Sequence, residues 1–272
     1  MSECTHDCST WSQNCGDRTE PQSFLKPMNK ASNIKKVIGV VSGKGGVGKS
    51  LVSCLLAAQC AKAGLKVGIL DADVTGPSVP KSFGINTRAM QDEEFLLPSV
   101  AEGGVKVMSI NLLLEDVNSP VVWRGPVISG VIEQFWSDVR WGELDYLFVD
   151  MPPGTGDVAL TVFQSLPVDG IVIVSTPQDL VKMIVSKAFN MAQMMNVPVL
   201  GIIENMSYYE CPDCGKKHSI FGDSKIDETA EELGVPVLAK LPINPELNRL
   251  VDDGKIMDAD CKELEGFIEA LK

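Results

Sequence analysis

Nowhere is this chain apolar for the roughly 18–20 residues that a helix needs to cross a bilayer, so nothing in it reads as a membrane span. Basic residues are in the minority. Lys and Arg number 24 against 36 Asp and Glu, for a net charge of −12 and a pI near 4.7. A solvated acidic surface repels phosphate backbones, which argues against non-specific nucleic-acid binding. The first residues are polar and cysteine-bearing and lack the apolar stretch of a secretion signal, so the expected compartment is the cytoplasm. Without that signal the eight cysteines do not read as a disulfide framework, and close-spaced pairs among them read as metal ligands or redox thiols. No internal repeat is visible. What remains is 272 residues, 44% of them hydrophobic, enough to bury the core of one large α/β domain or two small ones.

The most informative segment is Gly43-Lys44-Gly45-Gly46-Val47-Gly48-Lys49-Ser50, a match to the phosphate-loop pattern G-x-x-x-x-G-K-[ST]. It follows an apolar run that reads as a buried strand, and an apolar-patterned helix over 49–63 comes next. Strand, glycine loop and helix in that order give the pattern its meaning. The glycines let backbone N–H groups curl around phosphate oxygens, and the helix N-terminus adds partial positive charge. Lys49 is placed to reach the β- and γ-phosphates, and the Ser50 hydroxyl to ligate Mg²⁺.

From residue 34 onward, β-branched runs alternate with helical patterns. The expected strands are 36–42, 66–71, 105–110, 146–150, 170–175, 199–205 and 235–241, with helices over 127–139, 180–195 and 224–233 between them. Continuous apolar strands separated by helices predict a mostly parallel sheet covered by helices on both faces, an α/β fold of the P-loop NTPase kind. Residues 1–33 carry Pro21, Pro27 and no sustained periodicity, and read as a flexible cysteine-bearing tail ahead of a domain over 34–272. Cys54 and Cys60 fall within the helix after the glycine loop and read as small core residues, while Cys261 is assigned no role.

In open parallel sheets ligands sit outside the carboxyl ends of the strands, and further polar groups fall at such ends. Asp71 and Asp73 close the second strand, Asp150 and Gly154 follow the run at 146–149, and Asn205 ends the run from 199. A carboxylate at the end of an apolar strand is costly unless solvated or paired, and a hydrated Mg²⁺ is a natural partner for Asp150. Asp73 is placed to orient the attacking water, and Gly154 has no side chain to block a γ-phosphate from its N–H. Asp71 reads equally well as a structural hydrogen-bonding group.

Ordinary phosphate loops need only the second lysine, Lys49; Lys44 is extra. The run Lys-Gly-Gly-Val-Gly-Lys-Ser resembles the deviant loop of the family that contains nitrogenase iron protein and the division and partition ATPases. That resemblance implies a homodimer in which Lys44 reaches a phosphate in the other subunit, and it makes Asn205 the reader of the adenine.

Cys211-Pro212-Asp213-Cys214-Gly215 is a C-x₂-C turn in an expected loop over 207–222. It puts two thiolates on one side of a tight turn, suited to a tetrahedral metal or an iron–sulfur cluster. Residues alone leave cluster and structural zinc evenly matched, and His218 lies near enough in sequence to be a further ligand. One pair supplies two ligands; a two-fold axis would supply four. Loop, strand-end motifs and C-x₂-C pair, in this order, resemble the Mrp/ApbC family of ATP-binding iron–sulfur cluster carriers from about residue 35 to the C-terminus. The resemblance implies a weak ATP hydrolase using ATP and Mg²⁺. It also implies a bridging [4Fe–4S] cluster on Cys211 and Cys214 of each subunit, and apoproteins and cluster-assembly proteins as partners, with no nucleic acid and no membrane.

The tail offers Cys4, His6, Cys8 and Cys15, one cysteine short of a ferredoxin-like set of four, and no stable second cluster is expected there. Two other functions remain as alternatives: a partition or division ATPase, and a zinc-stabilised nucleotide-binding interaction protein. Membrane attachment would call on the C-terminal helix pattern of Leu264, Phe267, Ile268 and Leu271. Its polar face carries Asp260, Glu263, Glu265 and Glu269, which anionic lipid repels, so this stripe is expected to dock on the core.

Overall fold

Apolar runs and helical patterns resolve into alternating strands and helices in the computed structural model, which describes residues 24–73, 78–114, 125–154, 156–178 and 181–271. The first half runs β1 (Ser32–Val41), α1 (Lys49–Lys62), β2 (Val67–Asp71), α2 (Ser78–Ser82), β3 (Met90–Gln91), β4 (Leu96–Leu97), β5 (Ser99–Val100), β6 (Lys106–Ser109) and α3 (Gly125–Ser137). There follow β7 (Gly142–Asp150), α4 (Asp157–Ser165), β8 (Gly170–Ser175), α5 (Val181–Met194) and β9 (Val199–Glu210). The chain ends with β10 (Lys217–His218), α6 (Ile226–Leu233), β11 (Val237–Pro242), α7 (Pro245–Asp252) and α8 (Glu265–Leu271).

The main sheet has the order β10-β9-β8-β1-β7-β2-β6-β5, with β11 also paired to β9. Its central pairs are all parallel, while β5 and β10 add short antiparallel edges. Two cores sandwich it. On one face Phe135 and Trp136 of α3, Val162 of α4, Val185 and Ala188 of α5 and Ala230 of α6 are buried. On the other, α1 contributes Val52, Leu55 and Leu56 beside Val79 of α2 and Ile268 of α8. Helix α1 is buried over most of its surface, its middle turns, residues 52–58, apolar but for Ser53. The fold is the expected doubly covered parallel sheet. Leu264, Phe267 and Ile268 are buried, so the C-terminal stripe docks on the core.

Three expectations shift. The end of the expected tail, residues 26–33, is held against the sheet domain. Lys26 N–H donates to the Ser165 carbonyl, Trp136 Nε1 to the Lys26 carbonyl, and Asn29 Nδ2 to the carbonyls of Ser137 and Val139, so residues 26–33 are tied down. The tail positions Cys4, His6, Cys8 and Cys15 lie outside the described residues. Next, β9 continues past Asn205 to Glu210, and the cysteine segment is a hairpin rather than a plain loop, with Lys217 opposite Glu210 and His218 opposite Tyr209. Lastly, α4 and α7 are helices for which the sequence reading had no element; both are short, nine and eight residues. Among the described residues no helix is long and apolar enough to cross a membrane.

Candidate functional site

Register brings the strand-end carboxylates together. Asp71 lies directly opposite Asp150 across the β2–β7 pair, and Val40, just before the glycine loop, lies opposite Asp150 on the other side. Asp150 is fully buried and takes three hydrogen bonds: Lys49 Nζ at 2.8 Å, Ser50 Oγ at 2.6 Å and Ser53 Oγ at 2.7 Å. Lys49, 5% exposed, also lies 3.7 Å from Asp73. A buried carboxylate needs such compensation. Ser53 is a site residue that sequence reasoning missed. Its signal was its position one helical turn after Lys49, whose carbonyl accepts its hydroxyl at 3.1 Å.

Asp71 is held as a structural group after all. Its oxygens accept the Asp73 N–H at 3.1 Å and the Ser109 hydroxyl at 2.8 Å, so it orders the start of the segment that carries Asp73. Burial, and after it the charge of Asp150, pushes the Asp71 carboxyl well above its usual range.

The loop itself is shaped for an anion. Gly46 and Gly48 have φ of 78° and 79°, the left-handed region that a glycine adopts without strain. A Cβ on Gly45 or Gly46 would meet nothing within 4 Å, whereas one on Gly48 would lie 2.2 Å from Asn205 Nδ2. The loop is therefore open on its ligand side and wedged from below. A cavity of about 320 Å³ sits over it, lined by Ser42, Gly45, Gly46, Gly48, Lys49, Ser50, Asp73 and Pro153, with Ser78, Ser82 and Val251 beyond. Open backbone donors, one buried ammonium and a hydroxyl–carboxylate pair are groups whose chemistry suits phosphate oxygens and a hard divalent cation. A roomier cavity, about 640 Å³, opens between α3, α4 and residues 24–26. Its charged groups are Lys26 and Glu133, already paired at 3.1 Å, so the chemistry lies at the loop.

Three expected ligand contacts are otherwise engaged. The Gly154 N–H donates to the Ser42 carbonyl at 2.8 Å, so a phosphate reaches it only when that bond opens. Asn205 is buried and donates from Nδ2 to the Val47 carbonyl at 3.0 Å, directly supporting the phosphate loop. Lys44 turns within its own chain, its ammonium donating to the Gln178 side-chain oxygen, a partner that the sequence did not suggest.

Cys211 and Cys214 cap the β9–β10 hairpin. The turn closes through Gly215 N–H to the Cys211 carbonyl at 2.8 Å and Cys211 N–H to the Lys216 carbonyl at 3.0 Å. Backbone N–H groups of Asp213 and Cys214, with the Cys214 side chain, hold the Cys211 thiol below its ordinary range, which favours the thiolate that metals bind. Cys211 is half-buried and Cys214 exposed. Among the described residues no third Cys, His, Asp or Glu, His218 included, lies close enough to form a ligand group with them. By contrast Cys54, Cys60 and Cys261 are buried core thiols, and burial pushes the last two up to about 12.

Comparison with known proteins agrees with this geometry. The model of the NUBPL iron-transfer P-loop NTPase family matches residues 33–270. The chain is 54% identical to the iron-sulfur cluster carrier protein of Clostridium perfringens over 82% of its own length and 81% of the relative's. It is 46% identical to that of Methanocaldococcus jannaschii, over 100% of this chain and 96% of the relative. Among solved structures, a nucleotide-binding protein in complex with ADP from Archaeoglobus fulgidus superposes with a TM-score of 0.78 at 45% identity, covering 85% of this chain and 91% of that one. The Aquifex aeolicus MinC:MinD cell division complex, at 19% identity and a TM-score of 0.63 over 87% and 93% of the two chains, shares the fold alone. The chain belongs to the NUBPL iron-transfer P-loop NTPase family.

Proposed function

We propose that this protein is a cytoplasmic, homodimeric carrier of [4Fe–4S] clusters that binds Mg-ATP, hydrolyses it slowly and delivers the cluster to apoproteins. One observation carries the reading. A phosphate loop with its buried acidic partner shares a chain with a solvent-reachable two-thiol turn, and a second copy of that turn would supply the other two ligands of a four-ligand site. The names of its relatives support the cargo, and the ADP in the Archaeoglobus neighbour supports the nucleotide.

Lys49 pairs with Asp150 at 2.8 Å. With nucleotide present the ammonium turns to the β- and γ-phosphates beside the loop amides of residues 45–49, and Asp150 and Ser50 would then hold Mg²⁺, which would supply charge neutralisation at the phosphates. Asn205 reads the adenine while bracing the loop, and the Gly154 N–H meets the γ-phosphate after leaving Ser42. Asp73 orients a water whose oxygen bonds the γ-phosphorus as the bridge to the β-phosphate breaks, giving ADP and phosphate. Lys44, freed from Gln178, completes the partner's site. The cluster is cargo: acceptor thiolates replace Cys211 and Cys214 of each subunit one for one, so iron, sulfide and charge pass together. Cluster-assembly proteins supply it; nucleic acid and membranes have no part.

Anaerobic purification with iron, sulfide and zinc analysis tests the reading. The expected result is one cluster per two chains, lost in Cys211→Ala and Cys214→Ala while ATP binding persists. One zinc per dimer with no iron would establish the zinc-stabilised alternative instead. Iron retained in the double variant would move the cluster to Cys4, Cys8 and Cys15.

A further inference from the structure

Glu204 is fully buried in β9, one residue before Asn205. Both its oxygens are held by hydroxyls: Ser207 donates to Oε2 at 2.6 Å and Ser224 to Oε1 at 2.5 Å. These two serines are the feet of the excursion over 208–223 that carries Cys211 and Cys214. A single side chain therefore pins the entry and the exit of the cysteine hairpin to one point.

That point is a joint. Between Glu204 and Tyr208 the pairing with β11 shifts register, because Glu204 faces Lys240 and Tyr208 faces Pro242. Within this bulge Met206 takes a φ of 56°, a left-handed conformation that costs a non-glycine residue strain and persists only when its surroundings enforce it. The residue between the clamp and the strained position is Asn205, wedged under Gly48 and donating to the Val47 carbonyl. The Val47 carbonyl belongs to the loop that phosphate would contact, so a reorientation of the Val47–Gly48 peptide would act first on Asn205, and through it on the bulge that Glu204 ties to both feet of the hairpin.

We propose that Glu204 is a positioning residue that transmits nucleotide occupancy of the phosphate loop to the posture of Cys211 and Cys214. A ligand shifts such an element only through contacts that differ between its two states, and the Val47–Asn205 bond is the contact through which loop occupancy would act. The inference rests on the proposed nucleotide site and is independent of what the thiols carry.

The test uses cluster-free, reduced full-length protein and the rate of iodoacetamide alkylation, read separately for Cys211 and Cys214 by peptide mass spectrometry. Saturating Mg-ATP should change the wild-type rate by about fivefold, the low end of ordinary coupling between sites. Ser224→Ala, which frees one foot, and Glu204→Ala, which frees both, should bind Mg-ATP normally yet lose that response. Glu204→Gln, whose carboxamide still bonds both hydroxyls, should keep it. Should Glu204→Ala fail to fold, Ser224→Ala alone decides the matter. A wild-type rate indifferent to Mg-ATP, or a full response in Ser224→Ala, overturns the proposal. So does loss of ATP binding in Ser224→Ala, which would make the clamp part of the nucleotide site. A normal response in a protein that never takes up iron would sustain the clamp and sink only the cluster reading.

Discussion

Replacing Lys49 by methionine should lower the stability of the nucleotide-free protein as well as abolish its response to nucleotide, and the two effects have separate origins. Methionine keeps the packing of the stem within α1 but removes the ammonium that lies 2.8 Å from the fully buried Asp150. Breaking a buried ion pair by removing one partner costs about 3–5 kcal/mol, because a charge is left uncompensated. Here the Ser50 and Ser53 hydroxyls still donate to that carboxylate at 2.6 and 2.7 Å, which offsets part of the loss and leaves about 2–3 kcal/mol. For a domain of this size, that lowers Tm by about 5–10 °C.

Differential scanning calorimetry without nucleotide measures this term alone. Asp150→Asn in the Lys49→Met background should recover at least about 1 kcal/mol, since neither member of the pair is then an orphan. Adding ADP at a hundred times its Kd should stabilise the wild type by about 2.7 kcal/mol and leave Lys49→Met unmoved. A nucleotide-free Lys49→Met melting with the wild type would refute the reasoning. It would mean that Lys49 spends its time in solvent and that Asp150 needs no counter-charge.

Lys44→Ala should reduce the turnover of ATP more than its affinity, measured by steady-state hydrolysis beside direct titration; equal losses in both would place Lys44 in its own subunit's binding site. Asp71 sets a pH dependence: its carboxyl is raised in the folded state above the ordinary 3.8, so as pH rises the unfolded chain releases that proton first and stability falls until the folded group also ionises. Asp71→Asn lacks this term, so its Tm relative to wild type should climb as the pH rises above about 4, and a flat difference would refute the assignment. Because the apolar side of α8 is buried against the core, co-sedimentation with anionic liposomes in the presence of ATP should leave the protein in the supernatant, and ATP-dependent pelleting would revive the division-ATPase reading.

The parts of the site that were legible in the sequence are those whose chemistry demands neighbours in the chain. A phosphate loop needs its glycines, lysine and serine contiguous, because successive backbone amides do the binding, and so residues 43–50 stand out as a pattern. A two-thiol turn is legible for the same reason. Asp73 and Asp150 were reached by a weaker rule, that ligands gather at strand ends, and the parallel register of β2 and β7 is what makes it work. That rule also flagged Asp71 without deciding its role, since binding and structural carboxylates occupy the same position until their hydrogen bonds are known.

Contacts between distant residues leave no such trace. Gln178 lies 134 residues from the lysine it holds, and Ser224 lies 20 from Glu204 with the whole cysteine hairpin between them. Glu204 did carry a signal: a carboxylate in the middle of an otherwise apolar strand, Gly201-Ile202-Ile203-Glu204-Asn205, has to be compensated by something. In Asp150 the same demand is met by a lysine and a hydroxyl of the phosphate loop and by the Ser53 hydroxyl. In Glu204 it is met by two serines at the base of the hairpin, within reach of no phosphate-loop group among the hydrogen bonds that hold it. The two buried carboxylates thus divide the work by the company they keep. In the proposed cycle one changes partners when a ligand arrives, and the other keeps its partners and passes the change to the hairpin.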